Sequence, residues 1–205
     1  MSRNILIVAG HPDLASSNAN AAILEYLESL PVTIHKLEEH HDNYIFSVAK
    51  EQELLVNHDR IVLLFPLYWY AVPALMKKWL EDVIAPGFAI GRGDSLKGKE
   101  IMAVTTVGAP QEGYCAGGFN RFTIDELLRP LEQMVFRTKA RYITPVKVYR
   151  SVFLSSEEMM SSVRDTAKKI VKDYEEPLLQ YERMIQLVPD LWQKKERSSL
   201  HSKNN

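Results

Sequence analysis

The chain has 205 residues, 46% of them apolar and 25% charged, with a formal net charge of −1. That is enough for one domain whose core needs no staple, and so small a charge excludes bulk attraction to nucleic acid or to an anionic membrane. A single cysteine, Cys115, excludes an internal disulfide, and no apolar run reaches the ~20 residues that cross a bilayer or the length of a signal-peptide core, so a cytoplasmic protein is expected.

In chain order, strands and helices alternate. Ile5 to Ala9 is a continuous apolar run, as expected of a strand covered on both faces. A polar loop follows, and then Ala19, Ala22, Ile23, Tyr26, Leu27 and Leu30 repeat at helical spacing until Pro31. Val32 to Leu37 reads as a shorter strand, Glu38 to Ser47 as a polar connection, and Val48 to Asn57 as a helix. Ile61 to Phe65 is the clearest central strand. Val72, Leu75, Met76, Trp79, Leu80, Val83 and Ile84 form the stripe of the next helix, with Pro73 tolerated in its first turn. Residues 87–98 are glycine-rich and read as a loop, and Ile101 to Val107 as the fourth strand. A helix over 123–137 should kink at Pro130. Tyr142 to Tyr149 is the fifth strand. Ser155 to Glu158 resembles a capping box for a last helix whose inner face holds Met160, Val163, Ala167, Ile170, Val171 and Tyr174. Five such strands imply a three-layer α/β fold, a parallel sheet of order 2-1-3-4-5 with helices on both faces. Its switch point lies between the first and third strands, where such sheets bind ligands.

Two segments leave those two strands. Gly10 to Asn20 carries His11, Ser16, Ser17, Asn18 and Asn20 ahead of a helix, and helix-start amides at Ser17, Asn18, Ala19 and Asn20 point at an anion. A plain N-cap by Ser16 or Ser17 explains the same residues. The loop has neither the glycines and lysine of a nucleoside-triphosphate loop nor G-x-G-x-x-G. Pro66-Leu67-Tyr68-Trp69-Tyr70 is the second segment: its aromatics suit stacking on a flat ring, or stapling to the following helix, or a dimer surface. The fourth strand ends in Thr105-Thr106-Val107-Gly108, and Tyr114 on the next loop can donate a hydrogen bond. Glu38-Glu39-His40-His41-Asp42 does not make a metal site, because neighbouring strand residues face opposite ways.

Together these segments resemble the flavodoxin-like NAD(P)H:quinone oxidoreductases, and most of all their short bacterial branch, with the ancillary proteins of potassium efflux and general-stress quinone reductases. The resemblance rests on His11-Pro12 with Ser17 and Asn20, Pro66 to Tyr70 with Pro73 and Lys77, Pro86-Gly87-Phe88-Ala89, Leu96-Lys97-Gly98-Lys99, Thr105-Thr106, Gly117-Gly118 and Leu128-Arg129-Pro130-Leu131. It implies a flavodoxin-like domain over residues 1–177, with 178–205 left as an extension, in which the apolar segment 178–188 itself reads as a short helix and the charged, polar end from Lys194 as a disordered tail. It also implies FMN, with FAD as the alternative, held at its phosphate by His11 and residues 17–20 and at its ring by Leu67 to Tyr70 and Thr105 to Gly108. NADH or NADPH would be the hydride donor and a quinone-like molecule the acceptor, in a ping-pong reaction assisted by Tyr114. Phe88 and Ile90 would border the substrate. Homodimers complete the flavin pocket in this family, and a regulatory role on a membrane transporter, at the inner face of the membrane, is the alternative function. Two positions depart from the family pattern: Val107 stands for a glycine, and Ile90 for a tyrosine.

Overall fold

The structure is a computed structural model that describes residues 3–186. Two compact units divide the chain, Met1–Val171 and Lys172–Asn205. In the first the elements run β1 (Ile5–Ala9), α1 (Asn18–Leu27), β2 (Thr33–Lys36), β3 (His41–Asp42), β4 (Ile45–Phe46), α2 (Val48–Val56), β5 (Arg60–Pro66), α3 (Ala74–Val83), β6 (Glu100–Thr106), α4 (Ile124–Leu127), α5 (Arg129–Arg137), β7 (Arg141–Val148) and α6 (Ser156–Val171). The main sheet has five strands in the order β2-β1-β5-β6-β7, each pair parallel. Counted along the sheet alone, this is the expected 2-1-3-4-5, because β3 and β4 form a separate antiparallel pair.

Every residue of β1, β5 and β6 is buried, which is why their middles, Ile5 to Ala9, Ile61 to Phe65 and Ile101 to Val104, read as unbroken apolar runs. Alternate side chains feed the two faces. Leu6, Val8, Leu63, Phe65, Ile101, Ala103 and Val107 enter a core closed by residues of α2, α3, α4 and α5, and α1 packs on α6. Trp79 is fully buried in that core, and its indole N–H donates to Glu51 Oε2 at 2.8 Å. Burying such a side chain stabilises by roughly 1.5–3 kcal/mol, provided its one donor finds an acceptor.

Several boundaries differ from the pattern. The helix expected over 123–137 is two helices joined at Leu128, with Pro130 in the first turn of α5; proline cannot continue a helix but suits the start of one. The polar connection contains the β3–β4 pair, whose turn sets Asn43 and Tyr44 at φ 49° and 64°. The capping box is present: Ser155 N–H donates to Glu158 Oε2 at 2.8 Å and Glu158 N–H to Ser155 Oγ at 3.3 Å. Of the expected inner face of α6, Val163, Ala167 and Ile170 are buried, whereas Met160 and Val171 are exposed, and Tyr174 lies beyond the helix end.

In the second unit residues 177–186 are helical. The rest of the expected 178–188 helix, and the tail from Lys194, lie outside the described residues.

Candidate functional site

The site forms where β1 and β5 lie side by side and their exit loops part. Gly10 N–H donates to Leu64 O at 2.8 Å and prolongs the pairing by one residue. A Cβ on Gly10 would lie 2.3 Å from Met76 Cε and 2.8 Å from its Cβ. Only glycine lets α3 approach the strand end so closely.

A cavity of about 190 Å³ opens there, lined by His11, Ser16 to Asn20, Pro66, Leu67, Tyr68, Thr106, Val107, Gly108, Ser151 and Val152. Ser17 caps α1: its Oγ accepts the Asn20 backbone N–H at 3.2 Å and the Asn20 amide at 3.1 Å. The same Asn20 amide nitrogen donates to Thr106 Oγ1 at 3.0 Å, so α1 is stitched to the end of β6. The other polar atom of that amide is buried with no hydrogen-bond partner among the described residues. Whichever way the amide is turned, one of its atoms is left for a ligand.

His11 is buried beside it. Its Nδ1 accepts the Asp13 N–H at 3.1 Å, so the neutral ring carries its proton on Nε2, which lies 3.1 Å from Tyr68 Oη. Burial lowers the His11 pKa, and outweighs Glu38 and Asp13, which raise it. A neutral donor and the positive end of a helix suit an anion that brings its own charge.

The three adjacent aromatics do not form one wall. Tyr68 lies against His11 in a T-shaped contact, with ring centroids 5.8 Å apart. Trp69 is 93% exposed. Tyr70 lines a neighbouring apolar groove of about 340 Å³, together with Val72, Leu80, Leu131 and Met134. The divergence comes from a tight turn in which Tyr68 and Ala71 exchange backbone hydrogen bonds of 3.0 and 3.1 Å, and Trp69 and Tyr70 take φ of 47° and 64°. Such values cost side chains other than glycine about 1–3 kcal/mol each, and they cluster at functional sites. Leu67 belongs to both the cavity and the groove.

Of the sequence-derived ring contacts, Thr106, Val107 and Gly108 border the cavity, while Thr105 does not. Thr105 sits one residue away on the strand, hence on the other face, and its hydroxyl is buried with no partner among the described residues. Val107 packs into the main core at 3% exposure, so its side chain is accommodated there. Tyr114 lies outside the cavity lining, packed on the core with its ring 6.1 Å from that of Tyr149. Burial, and then Tyr70, raise its pKa, which keeps the phenol a donor at neutral pH. Tyr70 Oη donates to Asn120 Oδ1 at 3.1 Å and Asn120 N–H to Gly113 O at 3.0 Å, so the aromatic turn and the Tyr114 loop are tied. Phe88 and Ile90 also pack on the core and line neither cavity nor groove. Sequence reasoning missed Ser151 and Val152, although they follow a strand exit as the other site loops do. Among the described residues no group of three or more His, Cys, Asp or Glu side chains is placed to hold a metal, and no helix is long and apolar enough to cross a membrane.

Comparison with known proteins bears on this geometry. The model of a family described as having a flavodoxin-like fold matches residues 3–172. The chain belongs to that family. It is 37% identical over 171 residues to an uncharacterized NAD(P)H oxidoreductase, YrkL, of Bacillus subtilis, covering 82% of this chain and 95% of the relative. Among solved structures it is similar to an NADPH-quinone reductase from P. pentosaceus, at 34% identity and a TM-score of 0.76, over 84% of this chain and 99% of the other. It is likewise similar to general stress protein 14 from Treponema denticola in complex with FMN, at 31% identity and a TM-score of 0.78, over 82% of this chain and 97% of the other.

Proposed function

We propose that this flavodoxin-like protein is a flavin-dependent NAD(P)H oxidoreductase that passes two electrons to a quinone or similar acceptor. The observation that carries the reading is the cavity at the N-terminus of α1, where a buried Asn20 amide atom awaits a partner beside helix amides and a neutral His11. The site fits FMN: residues 17–20 and His11 hold its phosphate, and Pro66 to Tyr68 with Thr106 to Gly108 border its ribityl chain and ring. FMN would supply the two-electron chemistry when bound, while the protein orients it; Tyr114 stays protonated on the loop that Tyr70 and Asn120 tie to the aromatic turn, and is the hydrogen-bond donor this reading assigns. NAD(P)H and acceptor use one site in turn, which gives parallel lines in a two-substrate steady-state analysis.

The relatives named an NAD(P)H oxidoreductase and an NADPH-quinone reductase support the reaction class. A homodimer completes the pocket in this reading, and the exposed Trp69, Phe119, Phe122 and Phe153 on the loops that follow β5, β6 and β7 are the side chains it would cover. The absorbance spectrum of the purified protein tests the proposal, with mass spectrometry of whatever heating releases. A flavin spectrum and a released mass equal to FMN are expected. A colourless protein that stays colourless after incubation with FMN and FAD overturns it.

A further inference from the structure

The apolar groove beside the cavity has no part in the reading above. It holds about 340 Å³, within the range of small-molecule sites. Its lining includes Leu80 of α3, Ile84 just beyond that helix, Leu127 of α4, and Leu131 and Met134 of α5. The polar groups at its edge are already engaged. Lys77 Nζ lies 3.0 Å from Glu81 Oε1, and the Tyr70 hydroxyl donates to Asn120 Oδ1 at 3.1 Å. A ligand in the groove meets hydrocarbon and finds no unpaired charge among these side chains, so the occupant that fits is apolar and uncharged.

Groove and cavity share a wall. Leu67 lines both, and the strained turn that follows it sends Tyr68 to the cavity and Tyr70 to the groove. By contrast, Trp69, Phe119, Phe122 and Phe153, the side chains that a second subunit would cover, line no part of the groove. We propose that the groove takes the isoprenoid tail of a prenylated quinone, whose head lies beside the part of the cavity that Leu67 borders. This rests on the reductase reading and names the class of acceptor. The reaction is the same: NAD(P)H gives a hydride, solvent gives a proton, and the quinone becomes a hydroquinone. The tail does not react, but its burial contributes binding energy far from the reacting atoms and raises kcat/KM.

Quinones that share one benzoquinone head and carry no, one or two isoprene units test the proposal on the full-length FMN-loaded protein. From the bare head to two units kcat/KM should rise about tenfold or more. The rise should vanish in Met134→Glu, which sets a carboxylate in the groove, and persist in Met134→Leu. Calorimetry with farnesol, an isoprenoid alcohol that carries no quinone, gives a second readout. Farnesol should bind wild type and Met134→Leu, and Met134→Glu about tenfold more weakly or not at all. Far-UV circular dichroism reports folding, and Leu127→Gln takes the place of Met134→Glu if that variant is unfolded. An active protein that is indifferent to tail length, or a rise that survives in the folded charged variant, overturns the tail site and leaves the reductase reading standing. Farnesol that fails to bind overturns it as well, in favour of a second copy of this chain where sedimentation shows Met134→Glu turning a dimer into a monomer. A protein that takes up no flavin overturns both readings.

Discussion

The candidate site depends on a few short polar side chains, and two of them give direct tests. Ser17 accepts two hydrogen bonds from Asn20. Ser17→Ala removes an N-cap, which costs about 1 kcal/mol, and releases the Asn20 side chain from one of its anchors. Urea unfolding should show the loss, and the FMN dissociation constant should rise by more than the Thr106 contact alone can offset; an unaltered affinity would detach Asn20 from the ligand. His11 is tested by pH. Its pKa is lowered, first by burial, so the unfolded chain takes up this proton at a higher pH than the folded one. Stability from this group is therefore full above about pH 6.5 and is lost as pH falls toward the folded value. His11→Asn removes the titration, and its melting temperature should fall less than that of wild type between pH 7 and pH 5. Identical slopes would show that other groups set the acid limit. Sequence made His11 and Ser17 visible because both follow an apolar strand and precede a helical stripe. Ser151 and Val152 carry no such pattern, since their place at the cavity depends on where the exit of β7 lands.

At the scale of elements, the pattern is clearest where burial is complete. The central strands β1, β5 and β6 were legible because both their faces are covered. The β3–β4 pair was not, because strands of two residues leave no periodicity, and Tyr44 gives no hint that it will turn left-handed. The Trp69-Tyr70 turn was illegible for the same reason: aromatic residues rarely accept positive φ, and only the tertiary setting imposes it. Sequence also gave no sign of the polar contact that binds α2, α3 and β2. Glu51 of α2 accepts Trp79 of α3 at 2.8 Å and contacts His35 of β2 at 2.7 Å, with His40 stacked on His35 at 4.2 Å. Burial alone would raise the Glu51 pKa, but the hydrogen bonds from His35 and Trp79, with the nearby His35 and His40, lower it. Its stabilising effect is therefore present above the usual glutamate range and lost as pH falls through the lowered value. Glu51→Ala strands two buried partners, at roughly 1–3 kcal/mol each, so about 3 kcal/mol of unfolding free energy should disappear in denaturant titration. A loss below 1 kcal/mol would show that the three elements are joined by apolar packing alone.

Over the whole first unit, the two ends of the parallel sheet divide the work. The carboxyl ends of the strands carry the cavity. The amino ends of β5 and β6 carry a buried ion cluster: Arg60 is fully buried, and its Nε and Nη2 meet Glu100 Oε2 at 2.7 and 2.5 Å. Arg141 of β7 bonds the other oxygen of Glu100, and Arg3 lies 3.4 Å from it. Arg60 also donates to Ile170 O at 2.5 Å, tying the last turn of α6 to the sheet. Removing one partner of a buried pair typically costs about 3–5 kcal/mol, because the remaining charge stays out of water. Glu100→Ala should therefore lose that much stability. Six residues of extended strand separate Glu100 from Thr106, about 20 Å, a distance at which effects on independent sites add without coupling. The same variant, assayed at a temperature where it is folded, should bind FMN with the wild-type dissociation constant. A weakened FMN affinity that tracks the lost stability would mean that the sheet transmits strain from one end to the other, and that the cavity is held open by the ion cluster rather than by its own loops.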